Sequence, residues 1–247
     1  MKPGLLKCLL CIAVFVTLTL SCSEVSKLVP PGTATGTDNN AAPSVVPQAV
    51  TAADNQTGSI AITSLLRADD YDRVIGEAKA ALADKPEDLS LRERLADAYI
   101  ARAWYYKVKR LNPYTLNDLS KAMEVAPKYY RAYYELGRFH NNQWQFSIGL
   151  LDLNKALSLK PDFAPAYSER GYSNYKNQKY EAALADVNKA IELDAADGQF
   201  YYMRSLVYRG MGKDDLAVSD LETTIRLSKD QLLADKAGAD LLLLQPK

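Results

Sequence analysis

The feature that most constrains this chain is a period. "DLSKAM" stands at 118–123, "DLNKAL" at 152–157, "DVNKAI" at 186–191 and "DLETTI" at 220–225, each 34 residues after the one before. Self-similarity at such a spacing restricts the fold to a repeat architecture, in which each unit buries its apolar face only against its neighbours. Other columns align at the same step. Tyr99, Tyr133, Tyr167 and Tyr201 form one, and Ala103, Gly137, Gly171 and Ser205 form another, all small. Leu119, Leu153, Val187 and Leu221 are apolar, while Ala122, Ala156, Ala190 and Thr224 are small again. Val125, Leu159, Leu193 and Leu227 close the unit, and Pro127 and Pro161 follow two residues later, where a helix stops.

Inside a unit the spacings are helical. Leu153, Ala156, Leu157 and Lys160 fall at i, i+3, i+4 and i+7, the last through its apolar stem, with no strand-like alternation. Another helix at 164–176 precedes "NQKYEAAL", so each unit reads as two antiparallel helices and a short turn. The small columns let the helices approach closely and the large ones fill the gaps.

This period and pattern resemble the tetratricopeptide repeat. The copy at 166–195 is the clearest, with Gly171, Tyr180, Ala183, Ala190 and Leu193 where that family expects them. The resemblance covers about 58–231. It implies an all-α fold, a right-handed superhelical solenoid of about five helix–turn–helix units (about 55–88, 89–129, 130–163, 164–197 and 198–231) with a C-terminal capping helix at 230–245. The first unit shows in "YDRVIGEAKAALADKP" (71–86), whose Ala78, Ala81 and Pro86 match a second helix; its first helix, near 58–68, matches poorly. "RLADAY" (94–99) looks like a first-helix core placed seven residues early. Seven residues are nearly two helical turns, so one helix from about 89 to 110 keeps its buried face in register. Leu241–Leu244 exceed one helical stripe: packing on the stack is expected for most of them, with a dimer or partner contact as the alternative.

The N-terminus has a different character. Lys2 and Lys7 precede an uncharged, largely apolar run at 9–20, and "SCS" follows. That is the layout of a secretory signal over 1–21, and the run is shorter than the roughly 20 residues of a membrane span. "LTLSC" resembles a bacterial lipoprotein box, in which the sulfur of Cys22 would take a diacylglycerol and become the new N-terminus. Thr19 stands where that family usually has Leu, with Leu18 one step earlier, and Ser21 fits. The alternative is a plain signal cleaved near Ser21 or Ser23. All three cysteines lie at or before residue 22, so the mature chain can form no intrachain disulfide, and Cys8 and Cys11 fall in the apolar run. Residues 22–57, rich in Pro, Gly, Ser, Thr, Asn and Ala, read as a disordered tether with a reach of roughly 30–35 Å, leaving 58–247 as the folded domain. Ser23 in place of Asp resembles sorting to the outer membrane, at its periplasmic face.

Thirty basic and thirty acidic side chains balance, which argues against a nucleic-acid partner. His140 is the only histidine. It replaces an aromatic, so a packing role is expected, and no second His or Cys remains to build a zinc site. "GMGKDD" (210–215) lacks phosphate-loop spacing and reads as a turn between helices. No catalytic constellation is visible, so neither an enzyme nor a cofactor or metal is expected. Asp118, Asp152, Asp186 and Asp220 open the four motifs, and sixteen residues before three of them stand Arg102, Arg170 and Arg204, with Leu136 in the remaining place. Arg170–Asp186, Arg204–Asp220 and Arg102–Asp118 are expected as half-buried structural ion pairs joining the two helices of a unit.

The resemblance further implies that first helices line a concave groove. It places Tyr134, Arg138, Asn141, Ser168, Tyr172, Tyr175, Tyr202, Leu206 and Arg209 along it, and Tyr and Arg are enriched at binding hot spots. The carboxylate clamp of chaperone-binding relatives is missing: its places hold Glu93, Asp97, Tyr134, Arg138, Ser168 and Tyr172. The expected function is that of an envelope-anchored adaptor or assembly factor that binds envelope proteins and meets the bilayer through acylated Cys22. The alternative is a periplasmic component binding a small apolar ligand, for example a partner of a solute-binding transport protein, which requires an enclosed cavity lined by Tyr and Leu.

Overall fold

The computed structural model describes residues 67–244. The signal segment, Cys22, the tether and nearly all of the first helix expected near 58–68 lie outside the described residues. Within them the chain forms ten helices: α1 Ala68–Asp84, α2 Leu89–Val108, α3 Asn112–Val125, α4 Tyr130–Asn142, α5 Phe146–Leu159, α6 Ala164–Lys176, α7 Tyr180–Leu193, α8 Gly198–Gly210, α9 Asp214–Leu227 and α10 Gln231–Leu244. The pairs α2–α3, α4–α5, α6–α7 and α8–α9 are hairpins that stack in chain order, α1 packs on α2, and α10 packs on α9. First helices of adjacent repeats touch one another (α2 with α4, α4 with α6, α6 with α8), whereas second helices make no comparable contact. The first helices therefore form the inner, concave row.

The apolar and small columns are the core. Leu119, Leu153, Val187 and Leu221 are buried, as are Ala122, Ala156, Ala190 and Thr224. Across from the apolar column lies the small one. A Cβ on Gly137 would come within 2.7 Å of Leu153 Cγ, and one on Gly171 within 2.7 Å of Val187 Cγ2. Helix α2 runs for 20 residues against 13 in α4, the lengthening expected from the early "RLADAY".

The four first helices α2, α4, α6 and α8 end in the same way. Arg110, Trp144, Gln178 and Gly212, 34 residues apart, have φ of 60°, 62°, 60° and 70°. The next residue then donates its N–H to the carbonyl five residues back: Leu111 to Tyr106, Gln145 to His140, Lys179 to Asn174 and Lys213 to Tyr208, each at 2.9 Å. This left-handed stop satisfies carbonyls that the helix leaves open, and glycine suits it best. The starts of α2 and α8 are capped by carboxylates. Asp88 accepts from Leu91 N at 3.1 Å and Asp197 from Gln199 N at 2.8 Å. Asp69 and Asp70 lie in the first turn of α1, and Asp214 and Asp215 in that of α9, where they complement the helix dipole. Among the described residues no helix is long and apolar enough to cross a membrane.

Candidate functional site

Before a groove can recognise anything its walls must be rigid, and buried ion pairs tie them. Arg170 donates from Nη2 to Asp186 Oδ1 at 2.6 Å and from Nε to Oδ2 at 3.0 Å. Arg204 holds Asp220 through two bonds of 2.8 Å, and Arg102 holds Asp118 through two of 2.7 Å. The third guanidinium nitrogen reaches the preceding repeat: Arg170 Nη1 to Asn154 Oδ1 at 2.8 Å, Arg204 Nη1 to Asn188 Oδ1 at 2.9 Å, and Arg102 Nη1 to Asp72. Each arginine thus joins two helices of its own repeat and the repeat before. Where Leu136 replaces the arginine, Asp152 finds His140 instead, Nδ1 to Oδ2 at 2.7 Å. His140 therefore packs half-buried, edge-on to Phe139, and also fills the missing cation's place.

The inner face divides into three stretches. In the first, α2 and α4 build a compact cationic and aromatic cluster. Trp104 carries the Lys107 Nζ at 4.0 Å from its ring centre and the Arg138 guanidinium at 4.5 Å, while Arg138 also lies 5.4 Å from the Tyr134 ring and 3.2 Å from Glu135 Oε2. Burial pushes the Lys107 ammonium down to about 8, and the neighbouring Arg138 charge pushes the same way against Glu135 and Glu169. Arg138 is also desolvated, yet Glu135, Tyr134 and Glu169 hold it above the usual arginine range. Tyr134 is buried, edge-on to Phe163 at 5.0 Å, and burial raises its hydroxyl. Trp104 and Lys107 lie 34 residues before Arg138 and Asn141. Counting back by one period would have found them, but the early first-helix core of that repeat obscured the count.

The middle stretch belongs to α6. Asn141 is buried and spent on packing: its Nδ2 donates to Glu169 Oε1 at 2.9 Å and its Oδ1 accepts from Ser173 Oγ at 2.8 Å. Ser168, Tyr172 and Tyr175 are half-buried. Tyr172 stands edge-on to Phe146 at 5.9 Å under Lys176, and Tyr175 leans on Tyr180 at 6.1 Å.

The last stretch is covered. Tyr202 donates its hydroxyl to Asp240 Oδ2 at 2.7 Å, Arg209 pairs with Asp240 at 3.4 Å, and Leu206 joins Tyr202, Leu221 and Ala237 with Leu233, Leu241 and Leu244 of α10. These three side chains expected in the groove are instead engaged by the final helix, whose apolar face needs cover. Leu241 and Leu244 pack inward, whereas Leu242 and Leu243 are 71% and 74% exposed. The open part of the groove therefore runs from Trp104 through Arg138 to Tyr172.

The tetratricopeptide repeat profile matches residues 164–197 and 198–231, the same two units that the sequence period delimits. Residues 164–231 are tetratricopeptide repeats. The chain's solenoid is similar to that of TTC0263, a thermophilic tetratricopeptide-repeat protein of Thermus thermophilus, at 19% identity and a TM-score of 0.53, over 76% of this chain and 100% of that one. It is also similar to YrrB, described as a TPR protein with an unusual peptide-binding site, at 20% identity and a TM-score of 0.51, over 75% of this chain and 92% of that one. At such identities the likeness concerns the fold. No curated protein matches the sequence.

Proposed function

We propose that this tetratricopeptide-repeat protein is a protein-binding scaffold of the bacterial cell envelope, which grips a segment of a partner protein in the open stretch of its concave groove. The observation that carries this reading is Trp104 with both the Lys107 ammonium and the Arg138 guanidinium against its ring. A half-buried aromatic with two cations against its ring, one of them also packed on Tyr134, has the composition of a binding hot spot. It would take an apolar or aromatic side chain against Trp104, with a carboxylate or backbone carbonyl on Lys107 and Arg138. The peptide-binding site named for YrrB is in keeping with a groove of this kind. The signal-like start and Cys22 support an anchored envelope protein acting as an adaptor or assembly factor, at the periplasmic face of the outer membrane.

A small apolar ligand is less well accommodated. The cavity beside Trp104 measures about 10 Å³, room for one water. A larger depression of about 360 Å³ at the starts of α8 and α10 is bordered by Asp194, Asp197, Asp230 and Lys229. Neither is the enclosed chamber of Tyr and Leu that an apolar ligand needs.

The test is an in-cell cross-linking pull-down of the full-length protein beside an Arg138→Ala, Tyr172→Ala variant. Enrichment of one envelope protein that the variant loses supports the reading. Recovery of the same proteins by both forms counts against the groove. Metabolic labelling with a fatty acid, compared with Cys22→Ala, tests the anchor separately.

A further inference from the structure

The turns that end the first helices stand side by side along one edge of the solenoid. Asn112 Nδ2 at the first turn donates to Gln143 Oε1 at the second, at 3.3 Å. Lys176 Nζ of the third lies 4.9 Å from the Trp144 ring of the second. Tyr175 and Tyr180, flanking the third turn, close around Gly210 at the fourth, where a Cβ would come within 3.1 and 2.6 Å of their rings. These contacts make a continuous ridge.

Across its first three turns, 106–112, 142–148 and 175–180, the ridge carries Lys109, Arg110, Lys176 and Lys179 and no Asp or Glu, the Lys107 ammonium lying against Trp104 in the groove. Acids begin only at its margins, with Asp69 and Asp70 of α1, Glu181 of α7, and Asp214 and Asp215 of α9. Cations suit helix C-termini, which accounts for the charges. It does not account for the apolar side chains between them. Val108, Leu111 and Trp144 are 53%, 41% and 73% exposed. Trp144 also holds φ +62°, a conformation that Gly212 meets without cost in the last repeat and that a bulky residue adopts only under strain.

A ridge of cations interleaved with an exposed Trp, Val and Leu suits a bilayer interface better than it suits a peptide. Trp favours the headgroup layer, and lysine stems lie along apolar surface while their charges reach phosphates. The described chain also enters the domain at this edge. Tyr71, in the first turn of α1, packs 5.7 Å from Tyr105 near the end of α2, so the first described turn of the chain lies beside the ridge. We infer that the ridge of turns around Trp144 docks on an anionic phospholipid surface and holds the solenoid edge-on to the membrane. The inference rests on the anchored reading for the nearness of that surface.

The experiment uses the full-length protein on vesicles of phosphatidylcholine alone or mixed with phosphatidylglycerol, some with brominated acyl chains. Trp144 fluorescence is taken as the difference from a Trp144→Phe variant, which leaves Trp104. The expected result is quenching of Trp144 by brominated lipid in anionic vesicles, reversed by high salt and weakened about fivefold for each charge removed in Lys109→Gln and Arg110→Gln. Protein that floats with both kinds of vesicle while Trp144 stays unquenched overturns the ridge and leaves the anchor standing. Equal quenching in neutral and anionic vesicles overturns the anionic surface. Protein that floats with neither overturns the ridge and the anchor together.

Discussion

His140 Nδ1 lies 2.7 Å from Asp152 Oδ2, and in doing so replaces an arginine one helical turn away. In three repeats the motif aspartate is held by an arginine sixteen residues earlier; in this one that place is Leu136 and the histidine reaches across from the next turn. Burial pushes the Asp152 carboxyl above the usual range and His140 opposes the shift, so the carboxylate depends on its partner. His140→Ala is expected to cost about 1–3 kcal/mol by leaving Asp152 unpaired. Urea unfolding of a double-mutant cycle with Asp152→Asn checks this: the double variant should lose less than the sum of the two single losses.

The small column predicts steric limits. Gly171→Ala would press a Cβ against Val187, whose branched side chain turns poorly, and is expected to cost about 1–3 kcal/mol. Ala103 and Ser205 show that the column accepts a Cβ where the helices are set for one. Gly171→Ala with Val187→Ala should therefore recover part of the loss in thermal melting.

Left-handed turns predict a gain. Gln178 is exposed at φ +60°, where glycine carries no steric penalty. Gln178→Gly is expected to raise stability by about 1 kcal/mol. Unchanged or lower stability would show that the turn is not strained.

Lys107 predicts a pH dependence. Its folded-state value of about 8 lies below the usual lysine range. Above about pH 8 the folded chain therefore binds fewer protons than the unfolded chain, and stability rises with pH until the unfolded amine also titrates, near about 10.4. The wild type is expected to gain about 1 kcal/mol relative to Lys107→Met between about pH 7 and pH 9, read from urea midpoints at each pH.

Much of the fold was legible because repeat packing imposes it. Residues that touch the same neighbour in every unit must recur at the unit length, so the Tyr, small and apolar columns marked the hairpins, and the Arg–Asp separation marked the ties within three of them. What escaped were relations that cross between units or do not recur. The third arms of Arg170 and Arg204 reach back to Asn154 and Asn188 of the unit before, and Arg102 breaks even that pattern by finding Asp72. The turn position is glycine in one repeat of four, so its left-handed geometry was hidden behind Arg110, Trp144 and Gln178. Trp104 and Lys107 were overlooked because the two-turn extension of α2 places an apparent repeat core seven residues early. The cover over Tyr202, Leu206 and Arg209 depends on where α10 folds back, which no period encodes.

The central claim is that a partner lies in the open groove, and proximity labelling from inside it tests this most directly. A photoreactive phenylalanine in place of half-buried Ser168 on α6 is compared in living cells with one in place of exposed Ala185 on α7. The account predicts a discrete adduct with one envelope protein from position 168 alone, lost when Arg138 is changed to Ala. The same adduct from both positions, or an adduct from 185 and none from 168, would contradict it.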